Sequence, residues 1–149
     1  MKKKLIVCML CLLATTFSFL RAQELHFRHD GTFRIVQFTD THVDPQKQDS
    51  KVAVQVVKET LEAEQPDLVI LTGDVVTGQP AREGWQMILA PLSQAGIPFV
   101  VLNGNHDTEQ DLTYPEIADI VTNVPNCLNV KNDTDELADL CLLYTSPSP

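Results

Sequence analysis

The sequence predicts an α/β domain on a mostly parallel sheet with crossover helices. Three observations carry this. Short apolar runs suited to buried strands recur along the chain. Segments with helical spacing of apolar residues separate them. Each apolar run ends in a group of polar, metal-capable residues. Alternation of this kind implies right-handed crossovers and a shared carboxyl edge for the strands.

Phe33 to Thr39 reads as the first strand, after the turn signal Asp30-Gly31. Asp49-Ser50 is placed to cap a helix over Lys51 to Gln65. Its stripe is Val54, Val57 and Leu61, with Lys51, Gln55, Lys58, Glu59 and Glu62 mostly away from it. Leu68 to Thr72 is an unbroken apolar run, as expected of a parallel strand covered on both faces. The next helix spans about Arg82 to Ala95, with Trp85, Ile88, Leu89 and Leu92 on one stripe. Pro91 should kink it and Gly96 should stop it. Phe99 to Leu102 is the third strand. Thr113-x-x-Glu116 is a capping box opening a helix through Val121.

Length and composition set the bounds. The chain has 149 residues, 44% hydrophobic and 21% charged, which excludes a fibrous or wholly disordered chain. Its formal net charge is −9. The first 22 residues hold four of the eleven bases and no acid, so the remainder carries seven bases against twenty acids, or −13. So acidic a body repels nucleic acid and anionic membrane.

Residues 1–22 read as a signal peptide. Lys2-Lys3-Lys4 is a basic start, Leu5 to Leu20 is uncharged and mostly apolar, and Ala22-Gln23 offers a cleavage point. Sixteen residues are short for a membrane span, so the expected location is periplasmic or secreted, with no stable membrane insertion after cleavage. Removal of Cys8 and Cys11 would leave Cys127 and Cys141, which could pair or remain free thiols. Residues 23–130 form the expected domain. Residues 131–149 read as an irregular tail. From about Cys141 the tail resembles translated sequencing-adapter DNA, so native sequence is expected to stop near Leu140.

The chemistry sits where the strands end. The first runs into Asp40-Thr41-His42, the second into Gly73-Asp74, and the third into Gly104-Asn105-His106-Asp107. Asp40 to Asp74 is 34 residues and Asp74 to Asn105 is 31, each about one strand-helix-strand unit. Parallel strands deliver these groups to one edge, where open α/β sheets bind ligands. Two carboxylates brought close together resist joint ionisation unless a cation intervenes. The mixed oxygen and nitrogen set suits Mn, Fe, Zn or Co better than Ca or Mg. Gly73 and Gly104 allow sharp bends and close approach.

Asp40-x-His42, Gly73-Asp74 and Gly104-Asn105-His106-Asp107 together resemble the first three blocks of the calcineurin-like metallophosphoesterase superfamily, over roughly residues 33 to 125. The surrounding sequence is most similar to the exported, purple-acid-phosphatase-related branch. The resemblance implies the amino-terminal half of an α-β-β-α sandwich. It implies two divalent or trivalent transition-metal ions, a small phosphorylated substrate, and ester hydrolysis by a two-metal-activated hydroxide. Asp40 and His42 would hold the first ion, Asp74 would bridge both, and Asn105 would hold the second. His106 would contact phosphate or protonate the leaving oxygen, and Asp107 would orient it. Thr77 stands where purple acid phosphatases carry a Tyr ligand, so a purple colour is not expected.

Other residues read as structural. Asp44-Pro45 is a turn, Glu109 a solvated charge, Trp85 a core anchor, and Cys127 a small buried residue. His26 and His29 precede the first strand and are expected at the surface. The acids from Asp133 to Asp139 read as a solvated run. The first strand-to-helix turn contains no Gly, so a nucleotide-binding loop is disfavoured. The non-enzymatic alternative is an acidic exported module that binds divalent cations without catalysis.

The family also supplies later histidines, in a lone block and a Gly-His-x-His block. The histidines of this chain are residues 26, 29, 42 and 106. The chain alone is therefore expected to be inactive or to bind metal poorly. Assay on a generic phosphoester with added Mn should give negligible turnover; turnover comparable to that of a complete relative would contradict this.

Overall fold

Three short apolar strands organise residues 25–130, the part of the chain that the computed structural model describes. They are β1 (Ile35–Phe38), β2 (Leu68–Thr72) and β3 (Phe99–Leu102). Both neighbours pair with β2 in parallel, giving the order β1-β2-β3. Ile35 lies opposite Leu68, and Val69 opposite Phe99. Parallel neighbours need crossovers. These are α1 (Gln48–Glu64) and α2 (Ala81–Ala95), and α3 (Tyr114–Thr122) follows β3. The expected α/β class with a parallel sheet is the class observed.

The helices cover one face of the sheet. Val69, Leu71, Phe99 and Val101 point into that side and are at most 3% exposed. Against them pack Val57 and Leu61 of α1, Trp85, Ile88, Leu89 and Leu92 of α2, and Ile117 and Val121 of α3. Full burial of side chains of this size contributes about 1.5–3 kcal/mol each, which makes the stripe of α2 the main anchor. Trp85 is completely buried, as a core anchor should be. The opposite face departs from the expectation of cover on both sides. Ile70 and Val100 are only half-buried there, and Ile35 and Leu102 are 52% and 39% exposed. No described element lies over them, so the continuous apolar run of β2 does not by itself secure a second layer.

Local signals were used in unequal ways. Glu116 accepts hydrogen bonds from the N–H (2.8 Å) and hydroxyl (2.7 Å) of Thr113, forming the capping box of α3. Gly96 ends α2 in the left-handed conformation, and α2 continues through buried Pro91. The start of α1 differs from expectation. It begins at Gln48, with Lys47 at the cap position and no side-chain cap. Ser50 Oγ instead accepts from the Asp44 N–H (2.8 Å), and Asp44 Oδ1 accepts from the Gln46 N–H (3.0 Å). The hydroxyl is spent on the loop before the helix, which fixes the chain's exit from the β1 end.

Asn129 closes the outer edge of β3. Its side-chain amide accepts from the Val101 N–H and donates to the Val101 carbonyl, each at 2.8 Å, as a neighbouring strand would. Half-buried Cys127 lies beside it, and burial raises its thiol pKa, which suits a packing residue rather than a nucleophile. Cys141 and the expected signal peptide and tail lie outside the described residues. His26 and His29 are exposed. Among the described residues, no helix is long and apolar enough to cross a membrane.

At the opposite end of the sheet, residues 25–34 strap onto Asp67. Arg28 Nε donates to both carboxylate oxygens (2.9 and 2.8 Å), and the Arg34 N–H donates to Oδ2 (2.7 Å). The Arg34 N–H, then Arg28, holds the Asp67 carboxyl below its ordinary value of 3.8. A depressed carboxyl stabilises the fold above the unfolded pKa, and that contribution disappears as pH falls through the folded value. The Arg34 amide resonance should therefore titrate below pH 3.8. In Asp67→Asn that titration should vanish; its persistence would assign it to another group.

Candidate metal centre

The chain continues past each strand in register, and that places the polar groups. After β1, the Asp40 N–H donates to Gly73 O (3.1 Å), the His42 N–H to Asp74 O (3.0 Å) and the Val43 N–H to Val75 O (2.9 Å). The β1 and β2 loops thus run side by side as a ragged extension of the sheet. The loop after β3 is tied to the β2 loop by Asp107. This residue is fully buried. Its Oδ1 accepts from the N–H groups of Val75 (2.7 Å) and Val76 (2.9 Å), and its Oδ2 from that of Gly104 (2.7 Å). Burial raises the Asp107 pKa, while the three N–H groups oppose that shift.

Asp40, His42 and Asp74 converge on this rim. One ligand atom from each lies within 4.8 Å of the others. His42 Nε2 is 3.7 Å from Asp40 Oδ1. Asp40 and His42 are well exposed and Asp74 is half-buried. Their backbones are unusual. Asp40, His42 and Asp74 all adopt positive φ, at 52°, 47° and 50°. Asp and His tolerate this region better than most residues, yet each such residue still costs of the order of 1–3 kcal/mol. The same positive-φ backbone thus recurs at three converging donors.

Two glycines make the approach possible. Gly73 has φ 100°, and a Cβ there would lie 2.8 Å from Gly104 Cα. A Cβ on Gly104 would lie 2.3 Å from Asp74 Oδ1 and 2.5 Å from Asp74 N. The expected close approach exists, and its partner is the Asp74 carboxylate. The His106 N–H completes the contact by donating to Asp74 Oδ1 (3.0 Å). Asn105 is exposed and sits between two residues that touch Asp74.

His106 shares the rim, with its ring centroid 6.4 Å from that of His42. Asp107, expected to orient His106, meets the backbone of two loops. Both Asp107 oxygens are engaged by backbone N–H groups, which makes it the staple between two loops. The side chain on His106 is Glu109, whose Oε2 is 2.7 Å from Nδ1. From the sequence Glu109 reads as a solvated charge. The turn that closes with the Glu109 N–H on His106 O (3.2 Å) brings it back instead. The only sequence signal for this was the His-x-x-Glu spacing. Glu109, by its hydrogen bond and then its charge, raises the His106 pKa, with smaller pushes from Asp74 and Asp107.

The donor set fits a divalent cation. Two carboxylates and an imidazole supply mixed oxygen and nitrogen ligands, and a cation between them offsets the repulsion of the paired anions. Asp44, read as a turn residue, is one. The N–H of Gln46 and then Lys47 hold its pKa low.

Comparison with known proteins points the same way. The family model for calcineurin-like phosphoesterase matches residues 33–144. The chain is 31% identical to a "probable inactive purple acid phosphatase 14" of Arabidopsis thaliana, covering 87% of this chain and 36% of that protein. It is 30% identical to "phosphatase DCR2" of Saccharomyces cerevisiae, covering 72% of this chain and 22% of that one. It is 35% identical to a "probable cyclic nucleotide phosphodiesterase" of Psychrobacter arcticus, covering 57% and 36%. The chain thus spans between about a fifth and a third of the length of these relatives.

The tightest point of the rim is the contact between Gly104 and Asp74. Gly104→Ala should destabilise the fold by about 1–3 kcal/mol through overpacking and should weaken Mn binding by displacing Asp74. Urea unfolding and a Mn titration read the two effects. Unchanged stability and affinity would show that the loop yields freely there.

Proposed function

The chain belongs to the calcineurin-like phosphoesterase family, and on that footing we propose that the full-length protein is an exported, metal-dependent hydrolase of small phosphate esters. Family membership supports phosphoester hydrolysis in general, and the family binds divalent metals. One observation carries the reading for this chain: Asp40, His42 and Asp74 present donor atoms within 4.8 Å of one another at the rim where the strands end.

In this reading Asp40, His42 and Asp74 would hold the ions, and Asn105 would add its amide oxygen. Mn, Fe, Zn or Co suits the mixed donor set. When bound, such ions supply charge to offset the phosphoryl oxygens and acidify a coordinated water. The protein's own contribution is placement. The positive-φ backbones at residues 40, 42 and 74 aim the donors before any ligand arrives. Asp107 fixes the loops relative to each other. His106, at the same rim, is the group to contact a phosphoryl oxygen or to give a proton to the leaving oxygen. A raised pKa favours the charged ring needed for either task. The acidic body argues against long nucleic acids as substrates. The basic start and apolar stretch of residues 1–22 support export.

A second reading has one observation in its favour: the name of the Arabidopsis relative includes "inactive". It is an exported module that binds divalent cations without hydrolysis. One substitution in the full-length protein separates the two. Asp74→Asn should remove most bound metal and lower hydrolysis by about two orders of magnitude or more. A parent that binds metal but never hydrolyses phosphoesters would favour the module. Metal content and turnover unaffected by Asp74→Asn would overturn both.

A further inference from the structure

We propose that Glu109 is the positioning residue for His106: it holds the ring by Nδ1 so that Nε2 is the nitrogen presented to a ligand at the rim. The inference rests on the phosphoesterase reading for what His106 then does, but its geometry stands apart from that reading. Glu109 Oε2 lies 2.7 Å from His106 Nδ1, within the range of a charge-assisted hydrogen bond. A carboxylate only accepts, so Nδ1 carries the proton and donates. That fixes the tautomer. In the neutral ring, Nε2 is left as the unprotonated acceptor; in the charged ring, it is the remaining donor. The pair is local, built by the turn from His106 to Glu109, and needs no other element.

The alternatives on this loop are already occupied. Both oxygens of Asp107 accept from Val75, Val76 and Gly104 backbone N–H groups. Asp74 Oδ1 accepts from the His106 backbone N–H rather than from the ring. Glu109 is well exposed and outside the core, so its replacement leaves the packing of the fold intact. The same exposure means that the bond is worth little as stability. Its value lies in orientation, as with carboxylates that set the tautomer of metal-site or catalytic histidines.

The test reads the ring directly. Long-range nitrogen–proton correlation spectra of this chain, at a pH where His106 is neutral, should show Nδ1–H in the native sequence. Glu109→Ala should shift the ring toward Nε2–H while the Trp85 indole resonance stays in place, reporting an intact core. Glu109→Gln, which keeps an acceptor oxygen, should restore part of the Nδ1–H population. An Nδ1–H ring that persists in Glu109→Ala, or an Nε2–H ring in the native chain, would overturn the proposal. These outcomes do not depend on hydrolysis, so they are distinguishable from failure of the phosphoesterase reading, which the Asp74→Asn assay decides.

Discussion

The carboxylate of Asp107 is the constraint on which the rim depends. It is fully buried, yet it accepts three backbone hydrogen bonds from two different loops. A buried charge without partners costs several kcal/mol, so this site is stable only while all three N–H groups stay aimed at it. That requirement locks the residues after β2 against those after β3. Gly104 is thereby pressed onto Asp74, and the His106 N–H reaches the Asp74 carboxylate. Parallel continuation of β1 alongside the β2 loop supplies the third side. The rim is a consequence of strand direction plus one buried anion.

Such a rim concentrates unfavourable terms. Three donors are held at positive φ, and two of them are carboxylates facing one another. The helix-covered core offsets that strain, and it lies directly beneath the loops through Val43, Val75 and Val76, each at most 1% exposed. A rigid apolar floor under a strained polar rim is what preorganised ligand binding requires. The two carboxylates repel one another when both are ionised, and a cation beside them and His42 would offset that repulsion.

Much of this was legible in the sequence because it depends on periodicity and strand direction. The Leu-Val-Ile-Leu-Thr run, the Trp85–Leu92 stripe and the Thr113–Glu116 box each encode one local choice, and each formed. The convergence of Asp40, His42 and Asp74 followed from putting polar residues at the ends of parallel strands one crossover apart. What could not be read depends on where a side chain turns within a loop. Ser50 had the chemistry of a cap but spends its hydroxyl on Asp44. Asp107 is next to His106 in sequence and spends both oxygens on three backbone N–H groups. Glu109 is three residues off, and a turn folds it back onto the ring. The half-open sheet face was equally hidden, since an apolar run reads the same whether one layer or two cover it.

The proposed reading requires that Asp40, His42 and Asp74 bind one divalent ion together. Paramagnetic broadening by Mn, followed residue by residue in amide spectra, tests it most directly and works even for weak binding. Amides of residues 40–42, 73–75 and 104–106 should broaden first and with a common affinity. Broadening centred on the acidic surface of α1, around Glu59 and Glu62, or different affinities for the separate loops, would contradict it.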